Sequence, residues 1–399
     1  MGFASQGPHV WPITPDWSDG MREQLSWATE ILTASATAVT THRGLWDGPR
    51  RRFTFDLFDA DREFRLAQML LAGHGGPWLL PIWPDQQWIT TTVWPESTTV
   101  ACRTEGFDFV EGGRVLLYAD AQRWEVAEVA QILPAGLELA APVLGEFRRG
   151  ARLFPLRLAH AEQGARSRFT SARTARVSLA FDIAEPCDWP ALDTLPVYRD
   201  HPVITSRPNE DEDATATVAR EMGMVDFGTG LPFVHDLTGV SLRNQSHRWL
   251  LSGRAEHSRF RSLLYMLDGA RVPVWVPSWQ SDLAAAAPIA GGSNSLIVQY
   301  AGYSQFGHGR PNRRDLWIEL NDGTVHRRRV TAAAHVGDTE ALTLDAPLDG
   351  AAVAPGRIRQ ISIMSLCTLA SDTVQIDHIT DQDGVATSST AWQGVVPND

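Results

Sequence analysis

The sequence contains no lysine, and all thirty-five basic side chains are arginine. That absence excludes Schiff-base catalysis, Walker-type phosphate loops and kinase-like nucleotide sites, each of which needs an ammonium group. Cysteine is nearly as scarce. Cys102, Cys187 and Cys367 stand far apart, so they make neither a disulfide framework nor a four-thiolate zinc or iron–sulfur centre. They read as small buried side chains. No stretch approaches the length of apolar run that spans a bilayer, and Met1 to Trp17 lacks the basic start and apolar core of a secretion signal. The expectation is a chain made in a cytoplasm, with no stable membrane insertion.

What is present points to a strand-rich globular protein. Hydrophobic residues make up 43% and charged residues 21% of the 399, an ordinary composition for two or three domains with real cores. The net charge of −12 argues against a general nucleic-acid or anionic-membrane binder. Fifteen Trp against five Tyr, with twenty-four Pro, suit many short strands joined by stiff corners.

Internal repetition divides the chain. A shift of 196 positions lays residues 51–83 over 247–279 without a gap. Identities fall at Arg52/Arg248, Phe64/Phe260, Arg65/Arg261, Leu71/Leu267, Gly73/Gly269, Pro77/Pro273, Pro81/Pro277 and Trp83/Trp279. Phe260, Leu263, Leu264 and Leu267 keep to one helical face, as do Phe64, Ala67 and Leu71. The spacing predicts helices over 63–72 and 259–268, each closed by a C-cap glycine, Gly73 or Gly269. Both then enter Pro-x-x-x-Pro-x-Trp, which reads as an edge strand or one entered through a corner, because proline cannot donate to a ladder. Phe64, Pro77 and Trp83, with Phe260, Pro273 and Trp279, are the candidate core or interface anchors.

Looser matches follow. Val115–Tyr118 aligns with Leu316–Glu319, and Leu137–Pro142 aligns with Leu342–Pro347 at an offset of 205. Asn321-Asp322-Gly323 predicts a hairpin turn, and Asp349-Gly350 and Asp383-Gly384 predict further turns. Residues 176–181 and 374–379 alternate in the strand manner. Asp19 to Leu32, with Leu25, Ala28, Ile31 and Leu32 in helical register, predicts a helix. The pattern fades in the Pro-rich stretch 188–200, which gives two modules, 1–195 and 196–399. The expected fold is mainly β: two homologous β-sandwich- or barrel-like modules, each with one or two short helices.

The search for chemistry returns little. There is no Gly-x-Ser-x-Gly, and Gly228-Thr-Gly230 leads into a turn rather than a nucleotide loop. The twelve His show no metal-ligand spacing. Asp381-Gln-Asp383-Gly384 starts like a calcium loop but lacks the later ligands, so it reads as a tight turn. Trp83-Pro-Asp85 and Trp94-Pro-Glu96, with Trp88, offer a sugar-stacking platform with carboxylates. The second copy keeps Trp279 but has Ser281 in place of Asp85, which favours packing over catalysis. His326-Arg-Arg-Arg329 reads as a solvated face or subunit contact, and Glu210-Asp-Glu-Asp213 as a solvated charge run. No catalytic, cofactor-binding or metal residue is assigned, and no cofactor or nucleotide is expected.

The segment Phe260-Arg261 to Trp279, a short Leu-bearing helix followed by Gly and the Pro-Trp strand, resembles tail-tip proteins of long-tailed, siphovirus-like bacteriophages. The closing segment, Ser371–Ile379 with Val385–Thr390, is similar to the ends of such proteins. The resemblance is to distal tail and baseplate proteins, and this chain departs from them in carrying the module twice. It implies a structural, non-enzymatic virion component located at the tail tip. Its implied partners are the tail tube protein, the hub and spike proteins, tail fibres as further candidate neighbours, and copies of itself. A homotrimeric ring with pseudo-six-fold symmetry would match a six-fold tube to a three-fold hub. The alternative reading is a carbohydrate-binding adhesin or glycan-active enzyme that uses the Trp-Pro loops.

Overall fold

The computed structural model describes residues 8–34, 37–162, 166–171, 174–210, 215–348, 350–380 and 384–396, leaving aside the side chains of residues 59–61, 64, 166, 170, 221, 237 and 238. The fold is mainly β. The first half begins with β1 (His9–Val10), β2 (Met21–Ser26), β3 (Thr29–Thr33), β4 (Thr40–Gly44) and β5 (Arg50–Ala60), then α1 (Asp61–Gly73). It continues with β6 (Trp78–Pro81), β7 (Gln87–Trp88), β8 (Thr99–Ala101), β9 (Arg114–Asp120), β10 (Arg123–Leu133) and β11 (Gly136–Leu139). It ends with β12 (Arg152–Ala161), β13 (Arg166–Ser171) and β14 (Thr174–Ile183).

The linker forms a small ladder of β15 (Val197–Tyr198) with β16 (His201–Pro202). The second half holds β17 (Ala216–Val225), β18 (Phe233–Ser252), α2 (Arg254–Leu267), β19 (Val274–Pro277) and β20 (Ser295–Gln299). It finishes with β21 (Asp315–Leu320), β22 (Val325–Val336), β23 (Thr339–Leu344), β24 (Ile358–Leu369), β25 (Thr373–His378) and β26 (Val385–Gly394).

Each half is organised on one long strand that is buried nearly throughout. β12 pairs with β6, β7, β9 and β14, and β24 pairs with β19, β21 and β26. Being covered on both faces, these strands are buried at nearly every position and lack the alternation of a half-exposed strand, with Ser362, Ser365 and Thr368 buried among the apolar residues of β24. Strands covered on one face alternate instead: along β14, Ala175, Val177, Leu179 and Phe181 point inward. One core in each half lies beside its helix, and a second fills the lobe of β8, β10 and β11 or of β20, β22 and β23.

The pairing plan recurs residue for residue. Leu156 lies opposite Pro81 as Met364 lies opposite Pro277, and Ala159 opposite Ile183 as Cys367 opposite Gly394. Isolated backbone bonds recur as well. Ile82 N–H donates to Pro155 O and Ser278 N–H to Ile363 O, while Trp11 and Ile204 donate to Leu79 O and Trp275 O. Leu139 donates to Thr98 O and Leu344 to Asn294 O.

Several expectations need correction. Residues 19–32 form no helix but β2 and β3. Met21, Glu23 and Leu25 occupy the buried phase of a strand, and the carboxylate among them disguises the alternation. The Pro-Trp strands are not edges, since β6 lies between β1 and β12. Pro77, at the entrance of β6, serves the sheet through its carbonyl, which accepts the His9 N–H. The ungapped shift of 196 holds across the Pro-Trp strands but fails ahead of the helices. Arg52 faces Asp182, whose counterpart Gln393 faces Asn244, so Arg52 corresponds to Asn244 and not to Arg248. Gly253, one further residue in α2 and two in the turn after it absorb the difference.

The helices run over 61–73 and 254–267 rather than 63–72 and 259–268. Gly73 is the last residue of α1, whereas α2 ends on a left-handed Asp268 followed by a left-handed Gly269. The Asn321–Gly323 turn does join β21 to β22, with Gly323 at φ +84°. Residues 211–213 of the acidic run, Asp349, and residues 381–383 lie outside the described residues.

Candidate functional site

The densest concentration of chemistry-bearing side chains lies where the two halves meet. β2 belongs to the first half through its pairing with β5, yet its other edge pairs with β25 of the second half. Period-two alternation sends Leu25, and Trp27 just beyond, into the second half's core, beside Trp249, Leu251, Phe260 and Leu263. It also buries Glu23 completely. Glu23 accepts from Arg51 Nε at 2.7 Å and from Arg261 Nη2 at 2.8 and 2.9 Å, and sits 2.8 Å from His378 Nε2.

The network extends from there. Arg51 Nη1 reaches Asp108 at 2.5 Å, and Arg157 closes on the same carboxylate at 2.5 and 3.3 Å. Asp85 accepts the Asp108 backbone N–H at 2.8 Å and Arg254 Nη1 at 2.9 Å. Arg254, from the first turn of α2, lies 4.3 Å from the centroid of the Phe107 ring, and Arg261 lies 4.7 Å from that of Trp189 in the linker.

A second joint is made by Asp372, which accepts Thr29 N–H at 2.6 Å, Thr29 Oγ1 at 2.7 Å and Ala270 N–H at 2.8 Å. Gly269 is required there. A Cβ would stand 2.5 Å from Asp372 Oδ1 and 2.8 Å from Trp27 Cβ.

The electrostatics suit a clamp better than a proton shuttle. Burial alone would raise the Glu23 pKa, but Arg261, Arg51 and the His378 hydrogen bond hold it well below the usual carboxylate range. Asp108 is held down in the same way, against its burial, by Arg51 and Arg157. Burial opposes the charge on Arg51, but Glu23 and Asp108 more than restore it. These groups hold one another in the ionised state, so none is poised near neutrality to exchange a proton. Among the described residues no group of three or more His, Cys, Asp or Glu side chains is placed to hold a metal ion. No helix of the described residues is long and apolar enough to cross a membrane.

The structure distributes the anchors read from the sequence among several cores. Trp83 is fully buried, edge-on to Phe154 at 4.9 Å between ring centroids. Trp279 is only half-buried, between Trp317 at 5.4 Å and the Arg207 guanidinium at 5.1 Å. Phe260 is buried against Trp249, and Pro77 and Pro273 lie half-buried at strand entrances. Phe64 lies in α1, with its side chain outside the description.

The Trp-Pro loops do not assemble a carboxylate pair. Asp85 turns inward to Arg254, whereas Trp88, Trp94 and Glu96 are exposed. Trp88 does border a cleft of about 1020 Å³ together with Arg103, Arg254 and Arg259. His326–Arg329 is not a solvated face. His326 and Arg329 are buried, Arg329 pairs with Asp315 at 2.9 Å, and Arg327 covers Trp317.

Sequence reasoning missed the Glu23 network and a long arm formed by β17 and β18, whose tip exposes Phe227, Leu231 and Phe233. The one signal for the network was an acid in the apolar phase of residues 21–25. No family model matches the chain, and no curated protein matches it.

Proposed function

We propose that this chain is a structural component of a bacteriophage tail tip or baseplate, built from two copies of one module and forming a ring that connects the tail tube to the hub and fibres. The observation that carries the reading is the recurrent pairing plan with a head-to-tail joint between its two occurrences. A module that docks head to tail on its own kind is suited to cyclic assembly, because heterologous contacts close into a ring when the rotation from copy to copy divides a full turn. The buried ion pairs of Glu23 with Arg51 and Arg261 tie that joint together, which supports a structural rather than an enzymatic role. The phage assignment itself rests on the resemblance of residues 260–279 and 371–390.

A homotrimer would present pseudo-six-fold symmetry to the tube and three unlike pairs of modules to the hub. Antibody raised against the chain should label the tail tip of particles in electron micrographs, and averaged tips should show a trimeric ring. Labelling of the head, or particles without the chain, would overturn the assignment. A ring of six chains would overturn the trimer. A second reading, a glycan-binding adhesin, is favoured by Trp88 at the rim of the cleft. A glycan array that returns a ligand lost in Trp88→Ala would establish it.

A further inference from the structure

The joint between the halves leaves each end of the chain with the mate of a surface already used inside it. Within the chain, β2 inserts between β5 and β25, with Glu23 opposite Phe53 on one side and Ile376 on the other. The strand in the place of β2 in the second half is β17. Phe53 corresponds to Gln245, because each lies opposite the same point of the recurring ladder (Phe181 and Trp392), and Ala216 is the partner of Gln245. Ala216 therefore stands where Glu23 stands, and Val218 where Leu25 stands. Among the described residues β17 pairs with β18 alone, so its outer edge is open. The strand in the place of β25 in the first half is β13, which pairs with β14 alone among the described residues. Ser167 corresponds to Ile376, and Phe169, opposite Ala175, corresponds to His378, opposite Ala386.

Burial follows the same asymmetry. Leu25 is 1% exposed and its counterpart Val218 60%. His378 is 3% exposed and its counterpart Phe169 63%. The loop before β9 carries Phe107, 5% exposed beneath Arg254, whereas the loop before β21 carries Phe306, 76% exposed. Five side chains of α2 are buried, but of the described side chains of α1 only Ala67 is, and Met69 and Arg62 lie in solvent. One end of the chain thus shows the acceptor face that is covered at the joint, and the other end shows the donor face.

We infer that the outer edge of β17 in one copy adds antiparallel to β13 of the next, reproducing the β2–β25 ladder, with Val218 entering beside Phe169 and Met69 and Phe306 covering the first turn of α1. This deepens the proposed assembly and rests on its premise that copies meet head to tail. The register follows from the internal template, with Ala216 opposite Ser167 of the neighbour. The occupant is a second copy because the chain already holds the complementary pair of surfaces in contact. An edge with exposed apolar side chains also needs covering, since it otherwise invites indiscriminate pairing.

The register sets the test. Ala216→Cys protein mixed with Ser167→Cys protein under mild oxidation should give a disulfide-linked heterodimer. The native thiols are at least half-buried, and burial pushes those of Cys102 and Cys367 up to about 12, which keeps the background low. Val218→Asp added to the first protein should lower the heterodimer yield by roughly tenfold and leave the melting temperature unchanged, because Val218 is exposed in the single chain. A yield no higher than that of Ala216→Cys mixed with Leu144→Cys, on the exposed surface elsewhere, overturns the inference. So does a yield indifferent to Val218→Asp. The two claims fail separately. Tail tips that label for the chain while the thiols stay unlinked remove this surface and keep the proposed function. A specific heterodimer from a chain absent from particles does the reverse.

Discussion

Glu23 is an acid on the buried face of a strand, and its three partners come from both halves of the chain. Glu23→Gln keeps the shape but leaves Arg51 and Arg261 facing a neutral amide. Removing one partner from such a buried network costs about 3–5 kcal/mol, to be read by chemical denaturation at neutral pH. The folded carboxylate titrates below its unfolded value. Its contribution is therefore complete above the ordinary Glu pKa of about 4.3 and is lost as the pH falls through the lower folded value. The gap between wild type and Glu23→Gln should accordingly shrink in acid, and a gap that stays constant down to the acid transition would show that Glu23 is not the titrating partner. Two histidines act in a higher window. Burial pushes His247 and His257 from 6.5 down to about 4, so both are neutral when folded and protonate on unfolding. Each contributes on the order of 3 kcal/mol above pH 6.5, lost as the pH falls toward 4. Thermal midpoints should decline across that window and be flatter in a His247→Phe, His257→Gln double variant.

The elements that could be read from the sequence were those whose pattern is local. The helix after the first long strand, the Pro-Trp strand and the Asn-Asp-Gly hairpin each carry their own signal in periodicity or turn chemistry, and the structure contains all of them. Residues 19–32 failed because the strand there is completed by a partner more than three hundred residues away, β25. Its buried acid makes sense only once Arg261 and His378 are known to face it. The ungapped repeat misled for a related reason. Arg52 and Arg248 are identical in the shifted segment but stand at different places in their ladders, opposite Asp182 and Ser389, and only the ladder partners show this. Trp83 and Trp279 show how far equivalence of place carries. Each lies two residues beyond a Pro-Trp strand, but their neighbours differ. Trp83→Ala should cost about 3–5 kcal/mol. Trp279→Ala, at a ring only partly buried beside Arg207, should cost about half as much. Equal losses in urea denaturation would mean that the two rings are covered alike in solution.

At the scale of the whole molecule, the halves are not independent beads on a linker. The second half borrows Leu25 and Trp27 for its core and lends Arg261 and His378 to a carboxylate of the first. The linker runs over α2, where Leu192 N–H donates to Ser262 O and Leu192 and Leu195 touch the core. These contacts predict what happens when the chain is cut. Residues 196–399 produced alone lack the strand that covers Val374 and Ile376, and should be aggregation-prone with an exposed sheet edge. Residues 1–195 hold α1 and their own two cores, and should stay folded with β2 uncovered on one side. Expressed together, the two pieces should co-purify as a heterodimer, because the β2–β25 ladder, the Glu23 network and the Asp372 joint re-form without a peptide link. Co-purification should be lost in Glu23→Arg, which places a cation against Arg51, Arg261 and His378. A second half that is monodisperse alone and melts at the temperature of the full chain would refute this dependence, and with it the use of the internal joint as the template for assembly between chains.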